Sequence, residues 1–172
     1  MSVDVARAVP ESDTAPIANL IEICRGERRT VLNSFTPEEE RAYLEAMGPR
    51  EAVFVAKVDG EFAGFAGIAP RWGYSERLRH CAECGTWVMP GMRGRGVGSA
   101  LWRAGVLPFC REAGFRHIGA FVMAHNTGAI AFYESLGFSI CGRHRRLVDW
   151  DGEFLDAVEI EMWLEDRLTA AT

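Results

Sequence analysis

Residues 88–101 limit what this chain can be more than any other stretch. They read Val88-Met89-Pro90-Gly91-Met92-Arg93-Gly94-Arg95-Gly96-Val97-Gly98-Ser99-Ala100-Leu101. An apolar run ends at Pro90, a turn crowded with glycine and arginine follows, and Ser99-Ala100-Leu101-Trp102 opens a helix. A strand, a glycine-rich turn and a helix in that order leave bare N–H groups at the helix N-terminus, where the dipole favours an anion. Glycines let backbone amides approach a ligand with no Cβ in the way. Arg93 and Arg95 add guanidinium groups that phosphate oxygens accept bidentately. An ordinary surface turn would put such glycines between two strands rather than at a strand-to-helix junction.

The spacing narrows the anion. The glycines run Gly94-x-Gly96-x-Gly98, whereas a dinucleotide fingerprint needs G-x-G-x-x-G early in a βαβ unit. No Lys-Ser or Lys-Thr pair follows, so the loop is not that of a nucleotide triphosphatase. Arg-x-x-Gly-x-Gly, as Arg93, Gly96 and Gly98, is the pattern that remains.

A chain of 172 residues is expected to form one domain, over 1–172, with a sizeable core. Its net charge of -5 argues against a general nucleic-acid or anionic-membrane binder, which needs a basic field. No apolar run approaches the roughly 18 residues of a membrane span. With no charged-then-apolar signal pattern at its start, the protein reads as cytoplasmic, and its five cysteines as reduced. Cys81 and Cys84 form one C-x-x-C. On a strand, positions three apart point to opposite faces, so the pair reads as two buried structural thiols and no metal is expected.

Along the chain, residues 3–10 alternate as a strand. Glu11-Ser12-Asp13 offer caps for a helix through Ile17, Leu20, Ile21 and Cys24, and residues 25–33 read as a loop. Thr36-Pro37-Glu38-Glu39 starts a second helix, to about Met47. Two strands follow, 52–58 and 62–69, joined at Asp59-Gly60. A connection over 70–80 leads to a strand over 81–89 and then the glycine-arginine turn. The next helix should end at Gly114, with Pro108 expected to kink it. A strand over 117–122, a helix from Asn126 to a stop at Gly137, and a strand from Phe138 come next. Residues 143–150 continue that strand or loop. Asp151-Gly152 turns the chain into a last strand over 156–164. The order is β α α β β β α β α β β.

That order, with three segments, resembles the GNAT N-acetyltransferase family over nearly the whole chain. The segments are Trp87-Val88-Met89-Pro90 with the loop from Arg93 to Leu101, then Asn126-Thr127-Gly128-Ala129-Ile130-Ala131-Phe132-Tyr133, then Leu136-Gly137-Phe138. The resemblance implies an α/β fold with a mixed, twisted, splayed sheet flanked by helices. Acetyl-CoA, as co-substrate, would enter between the fourth and fifth strands. Main-chain amides of Arg93, Gly94, Arg95, Gly96, Val97, Gly98 and Ser99 would hold its pyrophosphate. Val88 would pair with the pantetheine like an added strand and polarise the thioester oxygen. Asn126 would hydrogen-bond the cofactor arm, Tyr133 would lie near the sulfur, and Trp87, Met89, Ala129 and Phe132 complete the cofactor set. Family habit also suggests a homodimer, with no residue to carry it.

The chemistry needs such parts. An amine with a pKa near ~10.4 is mostly protonated at neutral pH and waits for a base. Attack through a tetrahedral intermediate needs a fixed donor for the oxyanion, and the departing thiolate is helped by an acid such as Tyr133. Glu83 is the candidate base, because it is the one acid in the strand over 81–89 and burial there would raise its pKa. It stands five residues before Val88, like the glutamate of phosphinothricin-type members of the family. For the acceptor, Arg71, Arg77 and Arg79 offer a clamp for a carboxylate or phosphinate, and Trp72, Tyr74, Phe35 and Trp150 offer walls. Tyr74 is too far from Glu83 to match the phosphinothricin pattern, so that substrate does not carry over. The cluster Arg143-His144-Arg145-Arg146 reads as a solvated strand face. The favoured reading is acetyl transfer to a primary amine of a small molecule, such as an amino acid, its analogue or a polyamine. The alternatives are a protein N-terminus or lysine as acceptor, and a silent CoA-binding module.

Overall fold

The computed structural model describes residues 2–164, so Met1 and residues 165–172 of the expected domain lie outside the description. Seven strands form one sheet in the order β1-β2-β3-β4-β5-β7-β6. They are β1 (Val3–Arg7), β2 (Ala52–Val58), β3 (Glu61–Pro70), β4 (Cys81–Val88), β5 (His117–Met123), β6 (Ser139–Trp150) and β7 (Glu153–Trp163). Helices α1 (Pro10–Gly26), α2 (Pro37–Ala46), α3 (residues 97–112) and α4 (Thr127–Leu136) cover the two faces. The succession of elements is the one read from the chain.

Side-chain alternation builds two cores from one sheet. On β2, Ala52, Phe54, Ala56 and Val58 pack with Trp102, Val106 and Ile118 under α3 and α4. The intervening Val53 and Val55 pack with Ile17, Leu20, Ile21, Leu44 and Phe65 under α1 and α2. A strand buried on both faces is a continuous apolar run, which is why 52–58 reads as one.

Every neighbouring pair in the sheet is antiparallel except β4 and β5. Those two run parallel and are registered at Cys81↔His117, Ala82↔Ile118 and Glu83↔Gly119. Beyond Glu83, β4 stays on β3 as far as Gly64↔Val88 while β5 diverges toward β7. The splay that the resemblance implies is therefore present.

Several local expectations change. Helix α1 begins at Pro10, with Val9 as its cap residue and the Val9 N–H donated 2.8 Å to Asp13 Oδ2. It is the helix's own first-turn aspartate that closes this end, rather than a cap among residues 11–13. The helix also extends through Arg25 to Gly26 instead of giving way to a loop. Thr36 and Glu39 form the reciprocal capping pair expected for α2. Pro108 does not break α3. The turn before it is widened, with the Leu107 N–H reaching back five residues to Trp102 O, and Pro108 then sits in the first turn of a fresh helical segment. Residues 143–150 belong to β6, with two register shifts against β7. Among the described residues, no helix is long and apolar enough to cross a membrane.

Candidate active site

The splay leaves half of β4 with one free edge. The Met89 N–H is donated 2.9 Å to Ala63 O, on the β3 side. Successive residues of a strand present their main-chain groups to opposite neighbours, so the Val88 N–H faces the gap. After β4 the chain makes a short turn at Pro90–Met92 and passes through Gly94 (φ 72°) and Gly96 (φ 83°). Left-handed backbone is where glycine alone is unstrained, and it aims this loop's amides to one side. The helical ladder of α3 starts with Ala100 N–H to Gly96 O, leaving Val97, Gly98 and Ser99 N–H ahead of it. A cleft of about 690 Å³ lies here, walled by Thr86, Trp87 and Val88, by the loop, and by Asn126, Ala129 and Phe132 of α4.

A second chamber of about 780 Å³ meets this cleft at Arg29, Thr86, Trp87, Asn126 and Ala129. It passes through the sheet, so β4 residues of both faces line it. Trp87 stacks on Phe65 on the α1/α2 side, with ring centroids 4.6 Å apart. By alternation Glu83 shares that side. On the other side Tyr133 is 4% exposed, held edge-on by Trp102 and Phe138. Its hydroxyl donates 3.2 Å to Thr86 Oγ1, which also accepts the Trp102 indole N–H at 2.9 Å. Burial pushes the Tyr133 phenol well above its ordinary range. It is thus protonated at neutral pH, lines the second chamber, and reaches the wall that the two spaces share through its bond to Thr86.

The acetyltransferase (GNAT) family model matches residues 17–138. The chain belongs to the GNAT acetyltransferase family. It is 35% identical over 89 residues to an uncharacterised N-acetyltransferase of Methanocaldococcus jannaschii, a match covering 51% of this chain and 39% of that protein. It is 37% identical over 84 residues to the streptothricin acetyltransferase of Streptomyces lavendulae, covering 49% of this chain and 42% of that one. The matched stretch therefore spans less than half of either relative. Among solved structures, a Salmonella typhimurium protein bound to acetyl-CoA superposes with a TM-score of 0.85 at 20% identity, over 95% of each chain. At that identity the likeness speaks for the fold.

The residues present suit acetyl-CoA, the co-substrate of the GNAT family. A free strand edge at Val88 matches an amide-bearing arm, and the amides around Gly96 match a diphosphate. Of the cofactor residues expected, Trp87, Val88, Arg93, Gly94, Gly96, Val97, Gly98, Ser99, Asn126, Ala129 and Phe132 line the cleft. Met89 does not, because it packs into the core beneath α1. Arg95 points away, toward Gly91 O (3.5 Å) and the Met92 sulfur (3.6 Å). The Arg93 side chain is not a free phosphate clamp either. Its Nε donates 3.0 Å to Val88 O and its other nitrogens grip Glu27 at 2.9 and 2.6 Å. That hydrogen bond lowers the Glu27 carboxyl pKa, and the pair ties the loop to α1. Asn126 caps α4 through Oδ1, which accepts from Ala129 N–H at 3.3 Å.

The acceptor side needs more correction. Glu83 lines the chamber but is exposed, so the burial expected to tune it is missing. Phe35 lines the chamber, whereas Arg71, Trp72, Tyr74, Arg77, Arg79 and Trp150 do not. Arg71 is 6% exposed and pairs with Glu159 at 2.6 Å, lying across β5 over the space left by Gly119. Tyr74 is 86% exposed. Cys81 is buried, but Cys84 is only half-buried and lines the chamber. Arg143 and Arg146 are held by Asp156 at the outer edge of the sheet. Among the lining residues that the sequence did not single out are Thr86, Arg29, Glu40 and Asp149. Thr86, the one hydroxyl in β4, was the visible signal.

Proposed function

We propose that this chain transfers the acetyl group of acetyl-CoA to a primary amine of a small molecule. The shared wall of the two spaces carries the reading: Tyr133, on the chamber side, bonds Thr86 of that wall, and Val88, on the cleft side, follows Trp87 of it. The chamber's volume is in the range that takes a small molecule. One relative is named for acetylating streptothricin.

Acetyl-CoA supplies an electrophilic thioester carbon. The Val88 N–H is a fixed donor for the oxygen that gains charge when an amine adds to that carbon. Glu83, facing the chamber, takes the amine's proton directly or through water. The new C–N bond forms by direct attack through a tetrahedral intermediate, and the C–S bond then breaks with its electron pair leaving on sulfur. Tyr133 gives the sulfur a proton, and the second proton that the nitrogen sheds as the tetrahedral intermediate collapses passes back to it through water in the chamber. Thr86, fixed by Trp102, holds the phenol in place.

Thiol release from acetyl-CoA across a panel of small amines, amino acids and peptides tests this. Turnover of at least one small primary amine is expected. Turnover restricted to peptides, or CoA binding with no turnover of any amine, overturns it.

A further inference from the structure

We propose that the acceptor carries a second cationic group and that Glu40 receives it at the α2 wall of the chamber. This deepens the small-molecule reading above and rests on it. Glu40 and Leu44, one turn apart, form the buried face of α2. Leu44 takes the place expected of that face, packing with Ile21, Val53 and Phe65. Glu40 sits beside it at 6% exposure and lines the chamber. Among the described residues, its carboxylate has neither a hydrogen-bond partner nor an ion pair. Its oxygens are not among the fully buried atoms that lack a partner, so they reach the chamber's space, and a helix that needed only packing would carry a second leucine here. The partner missing from the chain is one that a ligand can bring.

The other charges of the chamber agree with a cation. Among the described residues, four charged ones line it: the carboxylates Glu40, Glu83 and Asp149 and the guanidinium of Arg29. Arg29 stands on the wall shared with the cofactor cleft, 3.6 Å from the Glu27 carboxylate and 3.5 Å from Asn126 Oδ1. It serves the side where phosphates belong. Arg71, which would favour an acidic acceptor, is turned to Glu159 instead. The chamber's apolar lining, which includes Phe65, Trp87, Val53, Ile21 and Phe35, suits methylene groups. The occupant that matches both ends is a diamine, or a longer polyamine, with an aliphatic spacer. Its near amine loses a proton and attacks, and its far ammonium stays charged against Glu40. Burial also raises the Glu40 carboxyl pKa, and an ammonium beside it would restore the ionised form.

The test compares 1,4-diaminobutane, 1-aminobutane and 4-aminobutanoate as acceptors for the 172-residue chain, with thiol release as readout. The diamine's kcat/KM is expected to exceed that of each of the other two by on the order of tenfold or more. Glu40→Gln should abolish that excess through KM, lowering kcat/KM for the diamine by on the order of tenfold more than for 1-aminobutane. Calorimetry of 1,4-diaminobutane binding to the CoA-loaded chain should weaken by a similar factor. Glu40→Met, uncharged and of similar volume, gives a second variant read the same way. A diamine no better than the monoamine, or an excess that survives both variants, overturns the inference while the acetyltransferase reading stands. A CoA-binding chain that acetylates no amine removes both.

Discussion

A phenol can donate a proton only while it still has one, and its surroundings decide that. Tyr133 is surrounded by Trp102, Phe132 and Phe138, and its hydroxyl meets Thr86 rather than solvent. Burial, the largest cause, raises its pKa well above the usual ~10, so the acid form prevails throughout the physiological range. The same environment makes the residue part of the core, so a useful substitution must keep the ring. Tyr133→Phe is expected to lower kcat by roughly 10²-fold or more while CoA affinity, read by calorimetry, stays near that of the parent. A rate within twofold of the parent would mean that the departing thiolate takes its proton from water. Glu83 has no such enclosure. It stands exposed on the chamber wall.

At the scale of elements, the loop between β4 and α3 depends on backbone conformation more than on side chains. Gly96 is the cap residue of α3 with φ 83°, and a Cβ there would meet nothing within 4 Å. Gly96→Ala therefore tests conformation without a clash. It should cost about 1–2 kcal/mol of folding stability, the usual penalty for a left-handed residue bearing a Cβ. CoA affinity should fall with it, because the amides of Val97 to Ser99 lose their aim. Equal Tm and equal CoA affinity in the variant would show that the amides bind no diphosphate. Such loops and their flanking elements are legible in a sequence because their causes are local. Glycine marks the turn, a Thr36–Glu39 pair marks a helix start, and period marks the buried face. Pro108 misled because the compensating wide turn lies in the backbone of residues 101–106, which no side-chain pattern announces. Arg71 misled because its partner, Glu159, is on β7, 88 residues away. Glu40 was invisible for the opposite reason: a glutamate in the first turn of a helix is what the dipole favours anyway, so its burial could not be read from type and position.

At the scale of the whole molecule, the sheet is two parts with a narrow seam. β1 to β4 form one antiparallel run and β5, β7 and β6 another, joined between β4 and β5 at three registered pairs. The core under α3 and α4 spans the seam through Trp102, Ile118, Tyr133 and Ile160, and this packing holds the parts together where strand pairing has ended. A molecule lodged beyond Glu83 would touch β4 on one side and α4 on the other, adding contacts across the seam that the folded chain lacks and the unfolded chain cannot offer. Acetyl-CoA should accordingly stabilise the fold by mass action, by about 2.7 kcal/mol at a hundredfold excess over Kd. For a chain of this size that corresponds to a rise in Tm of about 5–10 °C. Hydrogen exchange should slow at the gap-facing amides of Thr86 and Val88, while Met89, already bonded to Ala63 O, changes little. A Tm that ignores acetyl-CoA, or protection that appears elsewhere, would place the thioester outside this seam and leave the splay as a feature of the fold alone.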